Sequence, residues 1–491
     1  MNKIIKKDGN DIFSISFLAF IFKNKSFLLI FRTIMLFLFI YAIYFGFVYP
    51  TKLENKFTTG LFWGLFWPFF MVITLASLGR VFCGICPHGF LGKYISKYGL
   101  NKKMPEVLKN PFIGLSILII GYWLLIFSFP GIYRTPLNTA LFFFILTILS
   151  FVVFFIYKDM AYCKYICPLG SVTKAFSKVS FTKLETYKEG CSSCESFDCA
   201  NACAYNLKPF TFAKKKTMED CTLCMDCAVS CQNVAFKIKK PSHMLFEKFK
   251  IQKIEIWTII LLTAILSFAI NFSHALNRTA IADNFIWMKS ANYFSTLLDT
   301  NINLGSFFAF SYAIFFVIIA SRGGMFIASK ILKVDYEKTF YTLGYAFAPL
   351  FIIGGLSHVI EFFFLHYASN IVNGFIQAFS LNFNYIEPLA TRRDSWLHIF
   401  KMFNHLAYIW AFIIMIARIK LLDSTKLRKV FAYPFASALI IFYMGLNFYT
   451  GYVFKTYGAQ KRAEHNHIQH QKQTNNHSSL NIVIIKQENK G

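Results

Sequence analysis

The sequence predicts a polytopic α-helical membrane protein of about nine spans, interrupted by one long hydrophilic insertion. Three observations carry that prediction. Of 491 residues, 56% are hydrophobic and 19% aromatic, and the mean hydropathy is +0.48, which excludes a soluble globular enzyme. Apolar stretches recur at the length a bilayer core demands, about 20 residues each. The 51 Lys and Arg, against 24 Asp and Glu, gather between those stretches, where basic charge fixes orientation in a membrane. A net charge of +27 in a soluble chain would suggest nucleic acid. Here the charge is spent on topology, and no nucleic-acid partner is expected.

Taken in order, the expected spans are 28–49, 61–79, 112–130, 138–157, 255–272, 305–321, 342–365, 398–417 and 431–453. The earlier apolar run 12–22 is too short to cross and is expected at the interface. No cleavable signal is expected, because the N-terminal Lys cluster is followed by Gly9, Asn10 and Asp11. That basic start predicts a cytoplasmic N-terminus, and the loops agree. Residues 80–110 carry six Lys and Arg against Glu106 alone, and 158–254 carry sixteen Lys against nine acids. The opposite loop 273–304 balances two against two. Arg32, near the cytoplasmic end of the first span, is expected to snorkel, and Trp63, Trp67 and Trp396 to act as interface anchors. The chain divides into a four-helix membrane half (1–157), a cytoplasmic region (158–254), a five-helix membrane half (255–453) and a polar tail (454–491). The tail is expected outside and disordered, or to bind Cu or Zn loosely through His465, His467, His470 and His477.

All twelve Cys lie between Cys83 and Cys231, on segments that this topology places in the reducing cytoplasm, so a disulfide framework is not expected. Eight form two runs in the insertion. Cys221, Cys224, Cys227 and Cys231 have the spacing of bacterial two-cluster ferredoxins, and Cys191, Cys194, Cys199 and Cys203 repeat it with two extra residues before Cys199. Three closely spaced thiolates hold a cubane whose fourth iron takes a distant Cys, and two such runs exchange their fourth ligands. The expected sets are Cys191, Cys194, Cys199 and Cys231 for one [4Fe-4S] cluster, and Cys221, Cys224, Cys227 and Cys203 for the other. The insertion is thus an α+β bacterial-type double [4Fe-4S] ferredoxin domain, with zinc knuckles as the alternative reading of the same thiolates.

The remaining four Cys stand at the membrane edge, in RVFCGICPHGF (80–90) and DMAYCKYICPLG (159–170), two helix-pair endings that look like an internal duplication. The Pro after Cys86 and after Cys167 suits the first turn of a helix. A Cys just before a helix N-terminus is expected to have its thiolate favoured. Cys83, Cys86, Cys163 and Cys167 could hold a further cluster, bind Cu(I), work as dithiols, or pack as small apolar groups.

By these motifs, residues 28–240 resemble the membrane-bound polyferredoxins. That group includes the membrane ferredoxin subunit of periplasmic nitrate-reductase systems, the electron-donating membrane protein of nitrous-oxide respiration and the copper-reducing accessory protein of cytochrome oxidase assembly. The resemblance implies two CxxxCP motifs at the cytoplasmic face and a double-cluster insertion. Cys163 and Cys167 fit that motif, whereas Cys83 and Cys86 are one residue closer. The function it implies is electron transfer in the cytoplasmic membrane, between a quinol or cytoplasmic donor and a respiratory or maturation partner. The alternatives are copper reduction or handling for a copper enzyme, and redox sensing.

In the Cys-free half, spans seven and eight carry His358, Glu361, His366, His398, Lys401 and His405. Ionisable groups in spans are functional candidates. His358 and His405 are expected at similar depth, as axial ligands of a haem b or as part of a quinol site. The bland reading is a Glu361–Lys401 ion pair beside interfacial His.

Overall fold

The computed structural model describes residues 8–124, 135–192, 194–215, 218, 220–299 and 304–458. Among them, eight helices are long and apolar enough to cross a membrane: Lys25–Val48, Phe57–Leu78, Pro136–Ile156, Lys253–Arg278, Leu304–Leu332, Tyr336–Ala378, Ser395–Lys420 and Lys426–Gly458. Each contains or overlaps an expected span. The remaining expectation, 112–130, begins as an apolar helix at Phe112, and its residues from 125 onward lie outside the described residues, as do residues 459–491 of the tail with all its His.

Burial ranks the helices. Of the apolar window in Lys253–Arg278, 72% is buried, against 28% in Lys25–Val48, so the fifth expected span is the centre of the bundle and the first lies on its rim. Small residues let helices close on one another. A β-carbon at Gly46 would sit 2.6 Å from that of Ala140, which brings Lys25–Val48 against Pro136–Ile156.

The insertion is framed by a two-stranded antiparallel sheet, β1 (Thr182–Thr186) and β2 (Val234–Ile238), with Thr182 opposite Ile238 and Thr186 opposite Val234. The strands bracket the two Cys runs. The chain's N-terminal segment completes this unit: Asp11 bridges Lys237, the N–H of Ile238 donates to the Asn10 carbonyl and Lys237 pairs with Asp8 at 2.5 Å. Ile12, Phe13 and Leu28 share a core with Leu184, Phe212, Leu223 and Phe236. The run 12–22, expected at the lipid interface, therefore spends Ile12, Phe13 and Phe22 on the ferredoxin-type unit, with Phe22 edge-on to Phe236 at 5.6 Å, while Phe17 and Phe20 stay exposed.

A buried ion pair joins the segment after the second Cys pair to the second membrane half. Lys178 Nζ lies 2.5 and 2.6 Å from the Glu255 carboxylate, which also accepts from the Tyr345 hydroxyl. Phe249 is flanked by the Lys178 ammonium at 5.3 Å and the Arg418 guanidinium at 4.8 Å. Removing one partner of such a pair leaves an uncompensated charge in low dielectric, a loss of about 3–5 kcal/mol.

Candidate functional site

The twelve Cys gather at one edge of the bundle, and the charges that their buried thiols feel outline three overlapping groups. Burial first, then the negative charges of Cys231, Cys191 and Cys194, pushes the Cys199 thiol up to about 11. Burial, then Cys221, Cys224 and Cys203, and last Cys199, raises Cys227. Burial, then Cys86 and Cys83, pushes Cys167 up to about 12, and burial, then Cys167 and afterwards Cys86 and Cys83, raises Cys163. The first two groups meet at Cys199 and Cys227, the third Cys of each run. The third draws two Cys from each membrane-edge motif.

Local sequence explains how each run is bent. The short helices Asp198–Asn201 and Asp226–Ser230 carry Cys199 and Cys227, and each is preceded by a left-handed residue, Phe197 (φ 49°) and Met225 (φ 61°). The runs are therefore superposable in Phe-Asp-Cys and Met-Asp-Cys, and the two extra residues of the first fall between Cys194 and Phe197. Non-Gly residues held at positive φ mark a backbone constrained by its surroundings.

The membrane-edge motifs share a second geometry. Cys86 and Cys167 occupy the N-cap position of the helices Pro87–Tyr98 and Pro168–Phe176, with Pro at the first helical position in both. Three residues after each, a Gly lets the new helix touch the carbonyl of the earlier Cys. A β-carbon at Gly89 would lie 3.2 Å from the Cys83 oxygen, and one at Gly170 would lie 2.7 Å from that of Cys163. The capping contact exists, since the Gly170 N–H donates to Cys167 Sγ at 3.4 Å, but the expected preference for thiolate does not follow. Burial outweighs the backbone donors and pushes the Cys86 thiol up to about 11. A thiolate here needs a cation at the sulfur.

The motifs differ where they meet other segments. Cys83 rides on an α-helical turn, Val81–Ile85, whereas Tyr162–Ile166 is a π-turn, the form in which a helix takes in one extra residue. The closer spacing of the first motif goes with Gly84: a β-carbon there would stand 2.6 Å from the Leu223 carbonyl oxygen and 3.0 Å from that of Thr222. The CGIC loop thus lies backbone to backbone on the CTLC loop. Arg32 clamps the contact. Its Nε donates to the Gly84 carbonyl at 3.2 Å, Nη2 to the Cys224 carbonyl, and Nη1 to Asp226 at 3.1 Å, where Lys93 also pairs. Arg32 does not snorkel; at 7% exposure it joins the first span to the second Cys run, because two carbonyls and a carboxylate satisfy its fork better than an interface would.

Two further residues lie between the third group and Cys203, Cys221, Cys224 and Cys227. The buried Tyr205 hydroxyl bonds Cys163 and lies near Cys224 and Cys83. Arg80 lies near Cys83 and Cys221, with Nε on Thr173 Oγ1 at 3.1 Å. Sequence reading passed over both: Arg80 reads as one more loop charge, and Tyr205 follows the last Cys of its run without a motif. Beneath the edge, His88 Nε2 sits 2.9 Å from Thr147 Oγ1, and burial pushes its imidazole down to about 4.

In the other half, no hydrogen bond or ring contact joins His358 to His405. The charged groups nearest His358 are His274, Arg278 and Arg392, and its ring packs on Phe362 at 4.1 Å. His405 is exposed, bonding Tyr408 and edging Phe448. Glu361 and Lys401 form no ion pair, and Lys401 is exposed.

As to what the sulfurs can hold, no three Cys, His, Asp or Glu side chains among the described residues converge on a single-ion site. Four thiolates around one zinc crowd together, since each Zn–S bond is about 2.3 Å. A cubane spreads its thiolates over four irons. An orphaned buried donor, Arg80 Nη1, also fits an anionic sulfur acceptor.

Comparison with known proteins points to the same residues. A family model described as a 4Fe-4S binding domain matches twice, at residues 59–105 and 139–185. Each match contains one membrane-edge pair, which bears out the internal duplication, and the runs at 191–203 and 221–231 lie outside both. Two uncharacterised proteins of Methanocaldococcus jannaschii are 30% identical over 188 and 174 residues, covering 34% of this chain in each case and 74% and 67% of theirs. An Escherichia coli K12 protein named "Putative electron transport protein YccM" is 26% identical over 200 residues, 35% of this chain and 55% of its own. No solved structure matches. With its apolar helices, its twofold match to a 4Fe-4S binding domain and these relatives, the chain belongs to a family of membrane proteins of ferredoxin type.

Proposed function

We propose that this iron–sulfur membrane protein carries electrons through three [4Fe-4S] centres. Cys191, Cys194, Cys199 and Cys231 hold one, Cys221, Cys224, Cys227 and Cys203 the second, and Cys83, Cys86, Cys163 and Cys167 the third, at the membrane edge. The donor is a quinol or a cytoplasmic reductant, and the acceptor is a redox partner protein. The observation that carries the reading is the Gly84–Leu223 backbone contact. It sets the membrane-edge Cys directly on a ferredoxin-type run, so an electron can pass between them without crossing a thick layer of protein. The twofold match of a 4Fe-4S model to the membrane-edge motifs supports the third centre.

The site faces the cytoplasm of the inner membrane, with nine crossings. Support comes from the Lys-rich insertion and from parity. Residues 8–13 pair with β2, so N-terminus and insertion share one side, and an even number of crossings must separate them. Three full-length helices lie between, and the apolar helix starting at Phe112 supplies the fourth.

Anaerobic preparation followed by iron and acid-labile sulfide analysis with EPR tests the function. About twelve irons per chain are expected, four per cubane. Absence of iron and sulfide would sink the reading. Copper bound at Cys83 and Cys163, lost in Cys83→Ala or Cys163→Ala while about eight irons remain, would move the membrane-edge site to copper handling.

A further inference from the structure

The residues around Cys83 contain a charge that the packing leaves unanswered. Arg80 caps the turn Val81–Ile85 and is 4% exposed. Its Nε donates to Thr173 Oγ1 at 3.1 Å, and that same oxygen lies 3.5 Å from Cys83 Sγ. Its Nη1 is buried without any partner. A buried donor left unpaired keeps its full desolvation penalty, the more so when charged, and the neighbouring acid does not relieve it: Asp220 pairs with Lys174, and no ion pair joins it to Arg80. The groups whose negative charge Arg80 feels, besides Asp220, are Cys83, Tyr205 and Cys221. Cys83 belongs to the membrane-edge four and Cys221 to the second ferredoxin-type four.

We propose that Arg80 is a positioning residue that donates its orphaned Nη1 N–H to cluster sulfur between the Cys83 and Cys221 centres, and that its charge holds both at a raised reduction potential. The inference rests on the iron–sulfur reading and deepens it. A cubane with four thiolates is anionic, and one-electron reduction makes it more so. A fixed guanidinium in low dielectric stabilises the reduced form over the oxidised one, and hydrogen bonds to cluster sulfur act in the same direction. Lying between two centres, one cation brings their potentials up together. Thr173 holds the fork by accepting from Nε while donating its own hydroxyl to the Gly170 carbonyl at 3.1 Å.

The test is an EPR-monitored potentiometric titration, with dithionite as reductant, of the anaerobically purified full chain and of Arg80→Gln. With iron content unchanged, the variant's midpoint potentials for the membrane-edge and Cys221 centres should fall, while the Cys199 centre stays where it was. Wild-type potentials in an iron-replete Arg80→Gln protein would overturn the proposal. Should that variant lose iron, Arg80→Lys decides. It keeps a charge but cannot place two N–H groups, so a smaller fall supports the proposal and an unshifted pair of potentials overturns it. A wild-type count of about eight irons would remove the membrane-edge centre without touching the role of Arg80, which the Cys221 centre would still report.

Discussion

The two membrane-edge motifs are copies of one device with different neighbours. In both, a Cys caps a helix, Pro opens it, and a Gly in its first turn closes on the carbonyl of the preceding Cys. Around that shared centre they diverge. The first faces the CTLC loop through Gly84 and is clamped there by Arg32. The second takes in a π-turn, bonds Tyr205 through Cys163, and leads within eleven residues to the Lys178–Glu255 pair that ties it to the Cys-free half. The duplication brings four sulfurs together at one edge, and the divergence supplies their two attachments. One copy is set by the redox unit it must touch and the other by the membrane half it must hold.

The strongest way to break that symmetry is at the sulfurs. Cys83→Ser and Cys163→Ser should each abolish the same membrane-edge EPR signal and leave the other two, since both copies complete one site. Signals lost in one variant and kept in the other would show that the copies work separately. Next in size, Lys178→Met leaves Glu255 buried without its cation. It should lower the thermal stability of the detergent-solubilised chain by about 3–5 kcal/mol, followed by thermal unfolding, with the iron signals intact below the transition. The smallest effect is in reactivity. In cluster-free protein, burial holds Cys86 near 11 and Cys167 near 12, so both stay thiols at pH 7. Their alkylation by iodoacetamide should climb as pH rises from 8 toward 11, Cys86 ahead of Cys167. Fast alkylation at pH 7 would mean that the caps outweigh burial after all.

Much of this was legible in the sequence. Span positions follow from apolar run length, and the two runs of four Cys between Cys191 and Cys231 are visible from spacing alone. The membrane-edge four were visible as a repeat, but not what joins them to the ferredoxin-type unit. Arg32 looked like any cation near a span end, and its partners, the Gly84 and Cys224 carbonyls, carry no side-chain signature. Arg80 and Tyr205 were missed for the same reason, since their contacts span 93 and 41 residues to Thr173 and Lys164. The His358 and His405 expectation rested on equal depth; in the structure His358 packs on Phe362 and His405 bonds Tyr408.

The N-terminal strand-like segment has one more implication. Ile12, Phe13 and Leu28 are part of the core beneath β2, and the CTLC loop is seated on Gly84. Excised at the strand ends, residues 182–238 would therefore expose a gap on one face and a bare backbone on another. The ferredoxin-type unit is not a portable cassette. Grafting it onto another carrier, or swapping it between relatives, requires moving the first thirty or so residues and the CGIC loop with it.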